Sequence, residues 1–206
     1  MKIKVVTPPQ IEPVTVEDVK LCAHIDHDIE DKIIAVWIKT ARELAENYQK
    51  RAYITQILEQ SYDNFPSVPF YLVRPPLIGV MTIKYTDSDG DTITLYDSGI
   101  DYMSATTTTG EPFDPPDTNS DFIIDVDGEP GRIDLAYLAT WPTVTLQPIN
   151  SVKIRYAAGY GDYPENVPEY IKDAIMLYCV YRNENRAGEV QETPSHFYNL
   201  LRQERF

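Results

Sequence analysis

Two hydrophobic periods divide the chain. From residue 15 to about 51, apolar residues recur at spacings of three and four. From 55 to about 158 they come in short β-branched and aromatic runs broken by turn residues. From 168 onward the helical spacing returns. The expected fold class is therefore α+β, with N- and C-terminal α-helices packed as a helical bundle and a β-rich, hairpin or small sandwich-like insertion in the middle. The matching domain expectation is an N-terminal arm and helices over 1–56, a β-rich middle region over 57–158 and C-terminal helices over 159–206, the two helical parts forming one domain.

Residues 1–13 read as extended and proline-punctuated, with Pro8, Pro9 and Pro13. Thr15 is a cap for a short helix over 15–23, with Asp18 three residues on reaching back as a short capping box. Asp26 or Asp28 restarts the helix. Ile29, Ile33, Val36, Trp37, Thr40, Ala41, Leu44 and Tyr48 then trace one face of an amphipathic helix of roughly six turns, ending near Arg51. Glu30, Lys39, Arg42, Glu43, Glu46 and Lys50 fall on the other face, predicted to be solvated.

The middle region predicts strands at Ile57–Tyr62, Pro69–Leu72, Val80–Tyr85, Thr92–Leu95, Phe122–Val126, Gly131–Leu135 and Val152–Tyr156. Asp89-Gly90 and Asp127-Gly128 are favoured hairpin turns. Thr106–Ser120, with four consecutive Thr and three Pro, suits neither helix nor central strand and reads as a long, mobile exposed loop. Further on, Pro168 with Asn166 as cap opens a helix over Tyr170–Arg186. That helix is apolar on most sides, so it is expected in a core or between subunits. Gly188 ends it, and Ser195–Arg205 forms a last helix with Phe197, Leu200 and Leu201 facing inward.

Charge narrows the function. The 206 residues carry 32 acidic against 18 basic side chains, a formal net charge of −14, and no Lys/Arg run exceeds Lys50-Arg51. A protein that grips nucleic acid needs a basic footprint, and the linear sequence displays none. Hydrophobic residues at 43% argue against a disordered chain. Cys22 and Cys179 are too few for a disulfide framework and form no CxxC pair, which fits a reducing compartment. No apolar run reaches about eighteen residues, and Met1–Pro13 lacks the apolar core of a signal peptide, so neither a membrane span nor a leader is expected.

Candidate chemistry is weak. His24 and His27 beside Asp26 and Asp28 have metal-ligand character, but they stand at a helix junction where Asp serves as a cap. Asp87-Ser88-Asp89-Gly90-Asp91 begins like a calcium loop, yet its Gly comes too early and a strand follows. There is no Gly-x-Ser-x-Gly elbow, no phosphate loop at Gly159-Tyr160-Gly161 and no basic neighbourhood for either thiol. The expectation is a non-enzymatic protein with no catalytic residue, no metal and no cofactor. Fifteen tyrosines suit wet interfaces. The candidate interface residues are Trp37, Tyr160, Tyr163, Tyr170, Tyr178, Tyr181, Phe197, Tyr198, Leu201 and Phe206.

An ordered set of segments carries a resemblance. They are Pro8-Pro9 with Glu12-Pro13-Val14-Thr15, Ile25-Asp26-His27-Asp28, Ala41–Glu46, Arg51–Gln56, Arg74-Pro75-Pro76-Leu77, Pro130-Gly131-Arg132-Ile133, Ala157–Gly161, and Val167-Pro168 leading to Ile171–Ile175. Together, over nearly the whole chain, they resemble the head–tail connector (adaptor, or head-completion) proteins of tailed bacteriophages. The resemblance implies a structural virion protein of the neck, found in the host cytoplasm during assembly. It would form a homo-oligomeric ring, dodecameric in the particle, beneath the portal protein. That ring would receive the tail stopper, and DNA would pass through its lumen without specific binding; no membrane partner is implied. The Thr193–Phe206 segment, short, terminal and amphipathic, is the expected portal contact, and its removal is expected to leave the fold intact. Another neck or tail-completion (stopper) protein is the alternative, with a small carboxylate-based hydrolase further behind.

Overall fold

Alternation of apolar and polar residues builds the β-rich part. The computed structural model describes residues 1–103, 121–186 and 193–202. The Thr106–Ser120 loop, Gly188 and Phe206 lie outside the described residues. The chain divides into two compact units, Met1–Pro8 with Thr55–Gly159, and Pro9–Ile54 with Tyr160–Phe206.

The first unit holds strands β1 (Lys2–Thr7), β2 (Gln56–Tyr62), β3 (Phe70–Tyr71), β4 (Leu77–Thr86), β5 (Thr92–Asp97), β6 (Phe122–Asp125), β7 (Arg132–Leu135) and β8 (Val152–Ala158). They form an antiparallel five-stranded sheet in the order β1-β2-β8-β4-β5 and a three-stranded sheet in the order β3-β7-β6. In β8, Val152, Ile154 and Tyr156 are fully buried while Lys153 and Arg155 face out. Their ladder partners Leu58, Ile83 and Tyr85 share the buried face, since directly opposed residues point the same way. Aromatic rings link this face to the second sheet. Tyr96 meets Phe122 at 6.2 Å, and Trp141 lies 4.8 Å from Phe65, 5.6 Å from Phe122 and 6.3 Å from Phe70. Buried polar tips find partners, as expected where water is excluded: Trp141 Nε1 donates to Pro66 O at 3.0 Å, and the Tyr156 hydroxyl donates to Val73 O at 2.6 Å.

Residues 2–7 are more than an extended arm. They pair with β2 from Lys2↔Ser61 to Thr7↔Ile57 and form an edge strand of the sheet. The Asp-Gly segments close turns, not ion sites. Asp87 Oδ1 accepts from the backbone of Asp89 and Asp91, both at 3.0 Å, and Asp125 Oδ1 accepts from Gly128 at 3.0 Å.

The second unit holds helices α1 (Val16–Ala23), α2 (Asp31–Gln49), α3 (Glu169–Glu184) and α4 (Ser195–Leu201). Their shared core includes Val19, Ile34, Ile38, Ala41, Ile171, Ala174, Ile175, Tyr178 and Phe197. The predicted capping box at Thr15 and Asp18 is present. Asn166, by contrast, does not cap α3. Its Oδ1 accepts from Tyr163 N at 3.1 Å in a separate 3₁₀ turn, Pro164–Asn166, and α3 begins at Glu169 and ends at Glu184, short of Gly188. No helix among the described residues is long and apolar enough to cross a membrane.

The face of α2 is rotated from the predicted one. Ile34, Trp37, Ile38, Ala41 and Ala45 are buried, together with Arg42, Glu46 and Gln49. Ile29, Ile33 and Val36, expected inside, are 88%, 42% and 56% exposed. The reason is electrostatic pairing. Arg42 and Glu46, assigned to solvent by their charge, neutralise each other inside at 2.8 Å, and Arg42 Nε also reaches Glu12 at 2.6 Å. A paired, hydrogen-bonded charge can be buried where a lone one cannot.

Candidate assembly surface

Among the described residues no group of three or more His, Cys, Asp and Glu is placed to hold a metal ion. His24 serves as the C-cap of α1 in the left-handed conformation, and Asp28 is bound to Lys20. The His24–Asp28 stretch is thus a helix junction. Arrangements that distinguish an assembly protein are surfaces: which apolar and aromatic side chains the fold leaves to solvent.

Most of the aromatic candidates are engaged within their own unit. Phe197 and Leu201 are completely buried, and Trp37 and Tyr178 nearly so. Tyr178 and Phe197 rings lie 5.6 Å apart, and Tyr198 packs against Tyr48 with tilted rings 4.7 Å apart. Tyr160 packs over Tyr53 at 6.4 Å, with the Arg51 guanidinium 5.9 Å from its ring centre. Tyr170 also packs against the helical core, and Tyr181 is half-buried. Trp37, Tyr178, Phe197 and Leu201 belong to the buried helical core. They hold the helices together. Tyr163, at 56% exposure, does face solvent.

The C-terminal segment is also anchored. Gln49, fully buried, donates from Nε2 to Leu201 O at 2.8 Å and accepts from the Tyr53 hydroxyl at 2.6 Å. Glu46 Oε1 accepts the Tyr53 backbone N–H at 3.0 Å. Phe197 and Leu201 thus complete the helical core.

What the rotation of α2 leaves outside is an apolar stripe. Ile33 and Val36 lie on one side of the helix, Ile29 stands one turn before Ile33, and Leu21 on α1 is 80% exposed. At the same end of the helix Arg186 clamps the Glu30 carboxylate with two guanidinium nitrogens and lies 5.6 Å from the Trp37 ring centre. The Arg186 hydrogen bond pulls the Glu30 carboxyl below its ordinary pKa. The rows of residues on α2 offer two overlapping apolar choices one position apart, which is why spacing alone assigned this stripe to the core.

No family model matches the sequence, and no curated protein sequence matches it. Solved structures do match the fold. A chain of the neck of an empty GTA particle, computed with C6 symmetry, superposes with a TM-score of 0.75 at 15% identity, covering 100% of this chain and 95% of the other. A chain of the virion of a native gene transfer agent (GTA) particle gives 0.74 at 16% identity with the same coverage. A chain of the neck of the native particle, computed with C12 symmetry, gives 0.69 at 16% identity, again covering 100% and 95%. The protein therefore has the fold of these particle chains, mixed helices and antiparallel sheets from end to end.

Proposed function

We propose that the chain is a structural subunit of the neck of a tailed phage or phage-like particle, acting as the head–tail connector: a ring beneath the portal that joins the DNA-filled head to the tail. The observation that carries this reading is the full-length fold match to chains of neck structures. The connector role in particular is what the motif resemblance implies; the fold match supports the coarser reading of a neck protein.

The reading gives the α2 stripe a purpose. Subunits in a ring meet head-to-tail, one patch of each copy against a different patch of the next. Ile29, Ile33 and Val36 form an exposed apolar surface of the kind that marks such contacts. We assign them to the contact with the neighbouring copy, with Tyr163 as a second candidate at that contact. The test is incorporation of an Ile33→Asp/Val36→Asp double variant into particles. It is expected to fold, because neither side chain belongs to the buried core, and to be missing from the neck. Incorporation at wild-type level would remove the stripe from the ring contact.

A further inference from the structure

The fold assembles a cationic surface that the linear sequence conceals. In the β unit, Met1–Pro8 with Thr55–Gly159, the seven Lys and Arg are Lys2, Lys4, Arg74, Lys84, Arg132, Lys153 and Arg155. Five of them fall on one face of the five-stranded sheet. The ladder places Lys4, Glu59, Arg155 and Thr82 in one row, and Lys2, Ser61, Lys153, Lys84 and Thr94 in the next. Ser151, Thr86 and Thr92 continue the face with hydroxyls. Strand alternation is the cause: Lys2 and Lys4, and Lys153 and Arg155, are two apart and so point the same way.

Two features suit this face to an anion. Lys84 on β4 and Lys153 on β8 are directly opposed, and like charges so placed destabilise a sheet. Neither makes an ion pair among the described residues. In the two rows Glu59 is held by Arg155 at 2.7 Å and Asp97 on β5 stands opposite Thr82, while Asp63, just past β2, accepts from Asn150 N at 2.8 Å. Between the strands lies a depression of about 170 Å³, lined by Lys84, Lys153, Arg155 and Glu59 with the hydroxyls of Thr82 and Thr92.

We propose that this sheet face binds the phosphates of a nucleic-acid backbone without reading bases. The composition separates this from a protein contact. Protein interfaces are depleted in Lys and rely on apolar and aromatic anchors, whereas protein–DNA surfaces are polar and strongly positive. This face carries four lysines and an arginine, with hydroxyls between them. It presents no base-stacking ring in the two cationic rows. The chain's −14 charge opposes long-range attraction to DNA. The contact is accordingly weak, short-ranged and steeply salt-dependent. The inference goes beyond the connector reading and does not depend on it, since it stands on the sheet alone.

The experiment is anisotropy of a short labelled duplex, and of its single strand, titrated with the full chain at low and rising salt. Binding independent of sequence is expected. A Lys84→Gln/Lys153→Gln variant is expected to lower the slope of log K against log salt by about 2 on duplex DNA. A Lys32→Gln/Lys39→Gln variant, altered on exposed positions of α2, keeps the wild-type slope. The sheet variant is also expected to unfold at no lower denaturant concentration than wild type, because a like-charge pair has been removed. Absence of wild-type binding at low salt, or equal loss in both variants, overturns the proposal. So does saturable stabilisation by inorganic phosphate with no DNA binding, which would make this a small-anion site. Loss of self-association instead of DNA binding in the sheet variant would reassign the face to an acidic protein surface.

Discussion

Arg42 and Glu46, one turn apart on α2, form an ion pair at 2.8 Å inside the helical core, each side chain less than a twentieth exposed. The pair is tied outward by Glu12 on Arg42 and inward by the Tyr53 backbone N–H on Glu46. Removing one member leaves the other charged and buried. Arg42→Met is therefore expected to cost about 3–5 kcal/mol, read as a lower denaturant midpoint with an unchanged slope. Replacement of both residues by apolar side chains of similar volume should recover much of the loss. A single variant as stable as wild type contradicts the buried-pair assignment.

The α1 cap gives a pH-dependent prediction. Hydrogen bonds from the Thr15 hydroxyl and backbone hold the Asp18 carboxyl below its ordinary value of 3.8. A carboxyl depressed in the folded state contributes stability that is fully present above its unfolded pKa and is lost as pH falls through the folded one. Thr15→Ala should cost about 1 kcal/mol near neutrality. The difference from wild type should shrink as pH drops below 3.8. A difference that grows with acid would have the wrong sign.

The two thiols should separate cleanly. Cys179 is fully buried on α3, and burial pushes its thiol up to about 12, whereas Cys22 on α1 is exposed. A thiolate-directed alkylating reagent should modify Cys22 in the native protein and both residues in denaturant. Rapid native modification of Cys179 would mean that the α3 core opens readily.

Truncation before Thr193 tests the role of α4. Phe197 and Leu201 are completely buried, and Leu201 O is the acceptor for Gln49. Loss of Phe197 alone should cost about 3–5 kcal/mol. The truncated chain is expected to unfold at much lower denaturant, or to bind a hydrophobic dye as a loosened state. An unchanged unfolding curve would return the segment to the status of a free docking tail.

The legible and illegible parts of the sequence differ for physical reasons. Val152–Tyr156 could be read because one face is buried and alternation is strict, and Thr15 to Asp18 because a cap is local chemistry. The phase of α2 could not. Ile33 and Ile34, and Val36 and Trp37, offer competing stripes, and the choice turns on Arg42 finding Glu12 and Glu46, contacts that spacing does not encode. Lys2–Thr7 is hidden because its strand partner lies fifty or more residues away. The cationic rows are hidden for the same reason: Lys84 and Lys153 become neighbours, and Lys2 and Lys4 join their face, through strand order alone.

The central claim is tested most directly by light scattering of the purified chain, alone and mixed with tail-less heads that carry the portal. Saturable binding at the portal vertex, lost in the Ile33→Asp/Val36→Asp variant, is the result the connector reading predicts, whether or not the free chain already forms rings. A chain that remains monomeric and ignores the heads at every concentration contradicts it.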